Sequence, residues 1–466
     1  MVAIVVCGGG VIGLSTGMML AEDGHDVTVL EADPRDPPAT PAEAWEDWRR
    51  DGVAQFRQPH NLFARFRAVA DTELPGLTDG LLAAGCTWVD YLDALPPSIE
   101  DRTPRDDDDR IRFVTGRRPV TEAVVATAAQ EHPRLALRRG VRATGLVAGP
   151  SAVPGVPQVA GVRTGDGEVL PADLVVDAMG RRTPSGDWLA ELGARQPVLE
   201  REDSGFVYYT RYLAGPERPR RIGPALVPLG SISVLTLPGD NDTWSVTVFG
   251  PTRDAPLKAL RDPATFTRVV AACPLQAHWL DGRPITDVLA MAGVLDCHRR
   301  HVVDGEPVVT GFLPVGDAWA CTNPSAGRGL SVGLVHAQLL RAVVRDHPDD
   351  PGALVRAFDE ATEQRVMPFY RNQIAADRAR IAEMDALRAG VEPPPPDPGQ
   401  VLLFTAAMYD PDVFRALMEI VTCLALPQEV LSRPGMRERV ARFAGAPAPP
   451  PTPGPDRARL LDLLAG

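Results

Sequence analysis

Residues 2–13 of the chain read Val-Ala-Ile-Val-Val-Cys-Gly-Gly-Gly-Val-Ile-Gly. The apolar start predicts a short buried strand, and the glycines that follow fit the pattern G-x-G-x-x-G. Residues 14–21 predict a helix, and residues 27–30 predict a second strand that ends on the acid Glu31. Glu31 is placed to accept hydrogen bonds from ribose hydroxyls. Together these features are typical of a Rossmann-like dinucleotide-binding unit.

Each part of the glycine-rich segment has a physical task. Gly8 permits the tight turn, Gly10 lets the backbone approach a pyrophosphate, and Gly13 lets the helix pack closely on the strand. Val11 and Ile12 lie where the helix begins, and its free N–H groups and positive dipole attract phosphate. The segment therefore predicts a phosphate-binding loop.

A second glycine-rich segment, residues 316–330, reads Gly-Asp-Ala-Trp-Ala-Cys-Thr-Asn-Pro-Ser-Ala-Gly-Arg-Gly-Leu. The buried strand predicted over residues 308–315 delivers Asp317, and a helix is predicted to begin at Gly329. Asp317 can bond a polyol hydroxyl, and the helix N-terminus can stabilise negative charge that develops on a flavin ring. A nicotinamide enzyme needs no second site so far along the chain, whereas a flavin with its ribityl chain does. The two segments together predict FAD.

The chain resembles the FAD-dependent monooxygenase superfamily with the para-hydroxybenzoate hydroxylase fold. Residues 177–181, Asp-Ala-Met-Gly-Arg, match that family's D-A-x-G-R region, and residues 323–330 match its N-P-x-x-G-x-G-[ML] loop after Gly-Asp. Residues 52–62 resemble a G-V-P-Q-x-R-x-x-H-x-L stretch typical of a bacterial subgroup with polyether epoxidases and squalene-epoxidase-like oxygenases. The chain departs from many aromatic hydroxylases at Trp319-Ala320, where they carry a histidine.

The resemblance implies FAD-binding residues in every motif. Arg118 stands where the family often has an arginine near the FAD phosphates, and Arg57 either contributes there or anchors its own loop. The complete set is Gly8, Gly10, Val11, Ile12, Gly13, Glu31, Arg57, Arg118, Asp177, Gly180, Gly316, Asp317, Pro324, Gly327, Gly329 and Leu330.

The predicted fold class is α/β, a Rossmann-like FAD-binding domain with an inserted mixed β-sheet substrate domain and C-terminal helices. Alternating residues from 206 onward predict sheet strands, and Gly-Asp-Asn-Asp at 239–242 predicts a hairpin. We expect the following division: residues 1–195 and 306–345 form the FAD-binding domain, residues 196–305 the substrate-binding sheet, and residues 346–466 a C-terminal helical region.

Aromatic residues indicate where a substrate would bind. Tyr208 and Tyr212 share one face of a predicted strand, which either lines a substrate cavity or belongs to the sheet core. Trp319 adds a ring beside the flavin, and Arg211 is the nearest arginine for an anionic group. We expect a largely apolar small molecule between the inserted sheet and the flavin. No catalytic side chain is assigned, because the expected chemistry needs no side-chain nucleophile.

The resemblance implies a monooxygenase that hydroxylates or epoxidises its substrate in secondary metabolism. O₂ would react through a C4a-hydroperoxyflavin, with NAD(P)H or a separate flavin reductase as electron source. One alternative is a dehydrogenase or reductase similar to geranylgeranyl reductases. A halogenase is disfavoured because no W-x-W-x-I-P segment occurs and the only lysine, Lys258, lies outside the FAD motifs. A non-catalytic FAD-fold carrier remains a further alternative.

Composition disfavours several classes of protein. The net charge of −13 disfavours nucleic acid and anionic membranes as partners. No apolar stretch approaches the ~20 residues of a membrane span. Because the first strand starts at residue 2, we expect no secretory signal and a cytoplasmic protein. None of the six cysteines has metal-site spacing, and no ligand set completes Cys-His-Arg-Arg-His at 297–301, so we expect no metal.

Overall fold

The computed structural model describes residues 1–203, 205–447 and 450–466. Its centre is a parallel sheet in which alternate residues of the first strand face opposite sides. Ile4 and Val6 face the helical side, whereas Val5 and Cys7 face the other side. The strands, in spatial order, are Phe312–Pro314, Leu174–Asp177, Ala3–Cys7, Asp26–Glu31 and Leu135–Arg139. This sheet confirms the predicted α/β class.

The two faces of the parallel sheet are covered by different layers. The helical layer shares a core with Ile4 and Val6, and its helices are Val11–Glu22, Pro41–Glu46, Ala64–Glu73, Leu77–Ala83, Arg118–Glu131 and Gly329–Asp346. The other layer is an antiparallel meander with one short helix, formed by Ala143–Val153, Val156–Thr164, Val169–Pro171 and Ser185–Glu191. Both layers exclude water from the central strands, as a parallel sheet requires.

The carboxyl ends of three central strands meet at one edge and bring distant motifs together. The Ala178 N–H donates to the Cys7 carbonyl at 2.8 Å, and the Val315 N–H donates to the Asp177 carbonyl at 2.9 Å. The turns after residues 7, 177 and 315 therefore lie side by side. Ligands of open α/β sheets bind at such an edge.

A second sheet begins at Phe206, inside the predicted insertion. Every strand pairing in it is antiparallel, so it is not mixed, because its main strands follow one another through hairpins. Its strands are Phe206–Ala214, Leu226–Leu229, Ile232–Pro238, Thr243–Pro251, Arg283–Pro284 and Leu289–Ala292. One face packs on the helix Pro263–Ala271 and on the 3₁₀ turns Ala255–Arg261 and Ala277–Leu280.

Three smaller sheets accompany the parallel sheet, the meander and the second sheet, and one of them contacts the second sheet. Arg117, on the strand Phe113–Arg117, bonds the Asp240 carboxylate at 2.6 Å across the boundary with the second sheet. Both of these side chains are buried. The remaining strands are Pro59–Leu62, Thr87–Val89, Val198–Glu202, Asp296–Arg300, Val302–Val303, Glu306–Pro307 and Ala320–Cys321.

Two of the C-terminal helices pack on the second sheet, whereas others share a core of their own with Ile99. Ile381 and Met384 pack on Phe206 and Tyr208 on the free face of the second sheet. Leu460, on the terminal helix, joins the core on the opposite face of that sheet. The helices are Pro351–Arg365, Met367–Ala389, Pro398–Tyr409, Pro411–Val421, Pro427–Leu431, Met436–Ala441 and Arg457–Ala465. Across the described residues, no helix combines the length and apolarity that a membrane span needs.

Candidate functional site

A groove of about 670 Å³ crosses the sheet edge where the three turns meet. It is lined by residues of the phosphate loop, by the turn after residue 177, and by most of residues 315–330. This volume falls within the range of small-molecule and cofactor sites. The groove therefore brings together motifs that are more than three hundred residues apart in the chain.

The three glycines of the phosphate loop have different surroundings. A Cβ at Gly8 would lie 2.5 Å from the Ala178 carbonyl oxygen, and Gly8 has φ = +110°. A Cβ at Gly13 would lie 1.9 Å from the Gly8 carbonyl oxygen. A Cβ at Gly10 would meet nothing within 4 Å, although Gly10 lines the groove. Gly8 and Gly13 therefore permit close packing, whereas Gly10 leaves space in the groove.

Glu31 lies at one end of the groove and is held by the chain itself. Its carboxylate accepts from the Gly9 N–H at 3.0 Å and from the Asp33 N–H at 2.8 Å. It also pairs with Arg50, whose guanidinium donates to the Gly9 carbonyl at 3.1 Å. No local pattern in the sequence points to Arg50, which nevertheless lines the groove. Arg50 is thus a phosphate-binding candidate that sequence reasoning missed.

Glu122 connects Arg50 to Arg118, which also lines the groove. Its carboxylate accepts from Arg50 at 2.9 Å and from Arg118 at 2.6 Å, and its side chain is 1% exposed. Burial alone would raise the pKa of Glu122, but the two guanidinium groups outweigh it and hold that pKa below its usual value. One buried acid therefore fixes two arginines at the groove wall.

His60 has its hydrogen-bonding capacity filled by neighbours. Its Nε2 lies 2.8 Å from the Arg118 guanidinium, and its Nδ1 lies 2.8 Å from the Gln58 carbonyl. Burial and the nearby Arg118 charge lower the pKa of His60 to about 3. The ring is therefore neutral, with Nε2 accepting from Arg118 and Nδ1–H donating to Gln58. His60 positions Arg118.

Asp177 is occupied by its own turn. Its carboxylate accepts from the Met179 N–H at 3.0 Å and from the Thr183 hydroxyl at 2.6 Å. Burial raises its pKa. Asp177 is not among the described residues that line the groove. Gly180, whose φ is +76°, lines the groove instead. Asp177 therefore shapes this turn.

The Gly316-Asp317 turn is supported from behind by His336. The Gly316 N–H donates to His336 Nδ1 at 3.2 Å, so the neutral ring carries its proton on Nε2, 3.1 Å from the Thr362 hydroxyl. Burial lowers the pKa of His336 to about 3 and raises the pKa of Asp317. Trp319 packs its ring 4.9 Å from His336. Asp317 and Trp319 both line the groove.

The loop 323–330 completes the groove, and its conformation depends on glycine. Gly327 has φ = +68°, which favours glycine, and a Cβ at Gly329 would meet nothing within 4 Å. The helix Gly329–Asp346 begins here, so its N-terminal N–H groups open onto the groove. Pro324 and Leu330 also line it. The loop therefore lines the groove, and its flavin-facing role stays a prediction.

Three of the four predicted substrate residues lie outside the groove wall that the described residues form. Tyr208 donates to Asn323, and Tyr212 packs 4.9 Å from the Trp45 ring. Both are buried, because the helix Met367–Ala389 and the segment around Trp45 cover that face. Arg211 projects from the opposite face and contacts Thr267 and Thr286. Only Trp319 reaches the groove.

Arg57 also lies away from the groove. Its guanidinium carbon sits 4.3 Å from the centre of the Trp45 ring, and burial lowers its pKa to about 10. This position favours the loop-anchoring alternative for Arg57. The described residues contain no group of three or more metal-ligating side chains that could hold a metal ion.

The groove fits an extended dinucleotide that carries a flavin. Two helix N-termini open onto it, each beside a glycine whose missing Cβ leaves space. Arg50 and Arg118 offer positive charge between those ends, beside the phosphate loop. Such donors suit a pyrophosphate, and Asp317 suits a polyol chain. The residues present therefore fit FAD.

Comparisons with known proteins establish the fold. No protein-family model matches the chain. Protein Rv3254 of Mycobacterium tuberculosis (strain ATCC 25618 / H37Rv) is 28% identical over 410 residues, which cover 80% of this chain and 79% of that protein. PqsL of Pseudomonas aeruginosa, a probable FAD-dependent monooxygenase, is 16% identical over 83% of this chain and 96% of its own, with a TM-score of 0.59.

A second similar structure belongs to a protein named for a different reaction. The Diels-Alderase PyrE3 of pyrroindomycin biosynthesis is 18% identical over 90% of this chain and 80% of its own, with a TM-score of 0.59. The chain therefore has the fold of FAD-dependent monooxygenases. Because one fold hosts several activities, the activity has to be argued from the site.

Proposed function

We propose that the protein is an FAD-dependent monooxygenase that hydroxylates or epoxidises a largely apolar small molecule in secondary metabolism. One observation carries the proposal: a single groove joins the phosphate loop at Gly10 to the second loop at Gly329. PqsL, which shares the fold, is also known in complex with the small molecule 2-aminobenzoylacetate. A groove that joins two glycine-rich loops supports a flavin dinucleotide better than a mononucleotide.

Different residues of the chain would bind different parts of FAD. Arg50 and Arg118 would hold the pyrophosphate with the helix N-terminus after Gly10, and Glu31 would accept from the ribose. Asp317 would accept from the ribityl chain, and the N–H groups after Gly329 would stabilise charge on the flavin ring.

The bound and reduced cofactor supplies the activation of O₂, so the protein needs to orient the substrate and exclude water. The buried Trp319 closes one wall, and the neutral His60 and His336 hold their neighbours in place. His60 and His336 each already have two hydrogen-bond partners. This supports an oxygen-transfer reaction that depends on the cofactor instead of a side-chain nucleophile.

Isotope incorporation tests the proposal. We expect the purified protein to show flavin absorbance and, with NAD(P)H or a flavin reductase as electron source, to transfer one atom of ¹⁸O₂ to its product. Turnover without ¹⁸O in the product would favour the dehydrogenase. A colourless protein that cannot be reconstituted with FAD would favour a carrier or another non-flavin activity.

A further inference from the structure

Gln373 is a polar residue of the groove wall that no FAD motif includes. It lies on the helix Met367–Ala389, and its side chain is almost fully buried. It lines the groove together with Val294, Thr322 and Pro324, on the side of the loop 323–330 that faces this helix. Val294 and Pro324 are apolar, and Gln373 carries the only side-chain amide among these four wall residues.

The amide nitrogen of Gln373 is committed to two partners. Its Nε2 lies 2.8 Å from the Ser325 hydroxyl oxygen and 3.0 Å from Asp377 Oδ2. Asp377 is one helical turn away on the same face, and Ser325 donates its own proton to the other carboxylate oxygen. Both amide protons are therefore used, and only the nitrogen can face these two acceptors.

This arrangement fixes which atom Gln373 offers to the groove. A flip of the amide would set its oxygen against the Asp377 carboxylate, which is unfavourable. The carbonyl oxygen Oε1 therefore points away from Ser325 and Asp377, and no described residue donates to it. An amide oxygen without a partner beside apolar wall residues is an acceptor available to a ligand.

The charges around Gln373 indicate the kind of ligand. Asp377 and Asp296 are both buried here, and Asp296 accepts from the Asn323 N–H. Arg328, which lines the groove, lies close enough to lower the pKa of Asp377. Burial, the largest effect, nevertheless raises that pKa to about 6. Because Oε1 is an acceptor backed by the buried Asp377, a neutral donor would meet a favourable partner there, whereas an anion would not.

We propose that Gln373 Oε1 is a specificity-determining acceptor for a hydroxyl or N–H group of a neutral, apolar substrate. Ser325 and Asp377 are positioning residues that hold the amide in this orientation. The inference rests on the proposed function, because it takes this part of the groove as the substrate side of the flavin. It keeps the largely apolar substrate that the sequence predicts and assigns its polar anchor to Gln373 instead of Arg211.

Two probes that share a ring system, of which one has a hydroxyl donor and the other its methyl ether, test the proposal. The FAD-loaded enzyme is titrated with 2-naphthol and with 2-methoxynaphthalene, and binding is followed by the change in flavin absorbance. We expect 2-naphthol to bind about three- to tenfold more tightly, as one net hydrogen bond predicts. Gln373→Leu should remove this preference and leave the affinity for the methyl ether within about twofold.

Control variants separate recognition from folding. Gln364→Leu, on the neighbouring helix, removes a glutamine that bonds only Glu360 at the surface and should retain the preference. Asp377→Asn should reduce the preference, because the amide of Gln373 is then free to flip, while FAD content and melting temperature stay near those of the parent. If Gln373→Leu does not fold, Asp377→Asn alone decides.

The outcomes separate the proposed function from the role of Gln373. A protein that binds no FAD refutes the proposed function and this inference with it. A protein that binds FAD but prefers neither probe, or binds neither, refutes the role of Gln373 and leaves the FAD assignment standing. An unchanged preference in both Gln373→Leu and Asp377→Asn has the same meaning.

Discussion

The same substitution at two glycines of the phosphate loop should have opposite consequences. In Gly13→Ala the new Cβ would lie 1.9 Å from the Gly8 carbonyl oxygen, against an ordinary contact of 3.4 Å or more. The helix would have to move by about 1.5 Å relative to the loop, and such overpacking costs about 1–3 kcal/mol. We expect a less stable protein even without cofactor.

In Gly10→Ala the new Cβ would meet no protein atom within 4 Å, and the backbone angles of −80° and 176° suit alanine. The stability of the apoprotein should change by less than about 1 kcal/mol. The methyl group would instead occupy the space beside the helix N-terminus. Losing one charge-assisted hydrogen bond to the pyrophosphate costs about 1.5–3 kcal/mol, so FAD should bind roughly ten- to a hundredfold more weakly.

Thermal melting of the apoproteins and titration with FAD would measure the two effects separately. The expected pattern is a lower melting temperature for Gly13→Ala, and a nearly unchanged one with weak FAD binding for Gly10→Ala. If Gly10→Ala bound FAD as tightly as the parent, the cofactor would not lie against this loop. If Gly13→Ala had the same melting temperature as the parent, the close approach of the helix to the loop would be contradicted.

Two further predictions follow from buried groups. Asp317→Ala should weaken FAD binding more than His60→Ala, because it removes a direct polyol acceptor instead of a neighbour of Arg118; equal FAD content in the two purified variants would contradict this. Burial lowers the pKa of His336 to about 3 from an ordinary 6.5. Between these two pH values, unfolding takes up a proton. The contribution of the neutral His336 to the free energy of unfolding is therefore complete above pH 6.5 and is lost as the pH falls. When the pH is lowered from 6.5 to about 5, the free energy of unfolding measured in urea should fall by about 2 kcal/mol less in His336→Gln than in the parent. Equal decreases in the two proteins would show that His336 does not titrate in this way.

Local patterns in the sequence predicted the central elements because those elements depend on neighbours in the chain. The strand Ala3–Cys7, the glycine turn and the helix Val11–Glu22 follow from apolar runs and from residues without a Cβ. The buried strand predicted over residues 308–315 is shorter, Phe312–Pro314, because the residues before it turn toward the meander. Within the predicted C-terminal helical region, Val366 separates the helices Pro351–Arg365 and Met367–Ala389.

Some errors at the site could have been avoided from the sequence. Side chains alternate along a strand, so Arg211 and Tyr212 had to point to opposite faces. The pair Arg118 and Glu122 was also visible at its i,i+4 spacing. The pattern did not show which face of the strand would be covered, and Tyr208 and Tyr212 proved to be buried under other segments.

By itself, the sequence determined the order of the elements, the glycine positions of both loops and the two acids Glu31 and Asp317, because these are properties of short segments. Only the tertiary structure decided which side chains share a space. Arg50 meets Glu122 across 72 residues, and Ser325 meets Asp377 across 52. Such contacts depend on how whole helices and sheets pack, since a small rotation of one element redirects its side chains. The donors and acceptors that a ligand would meet were therefore readable only after the chain had folded around the groove.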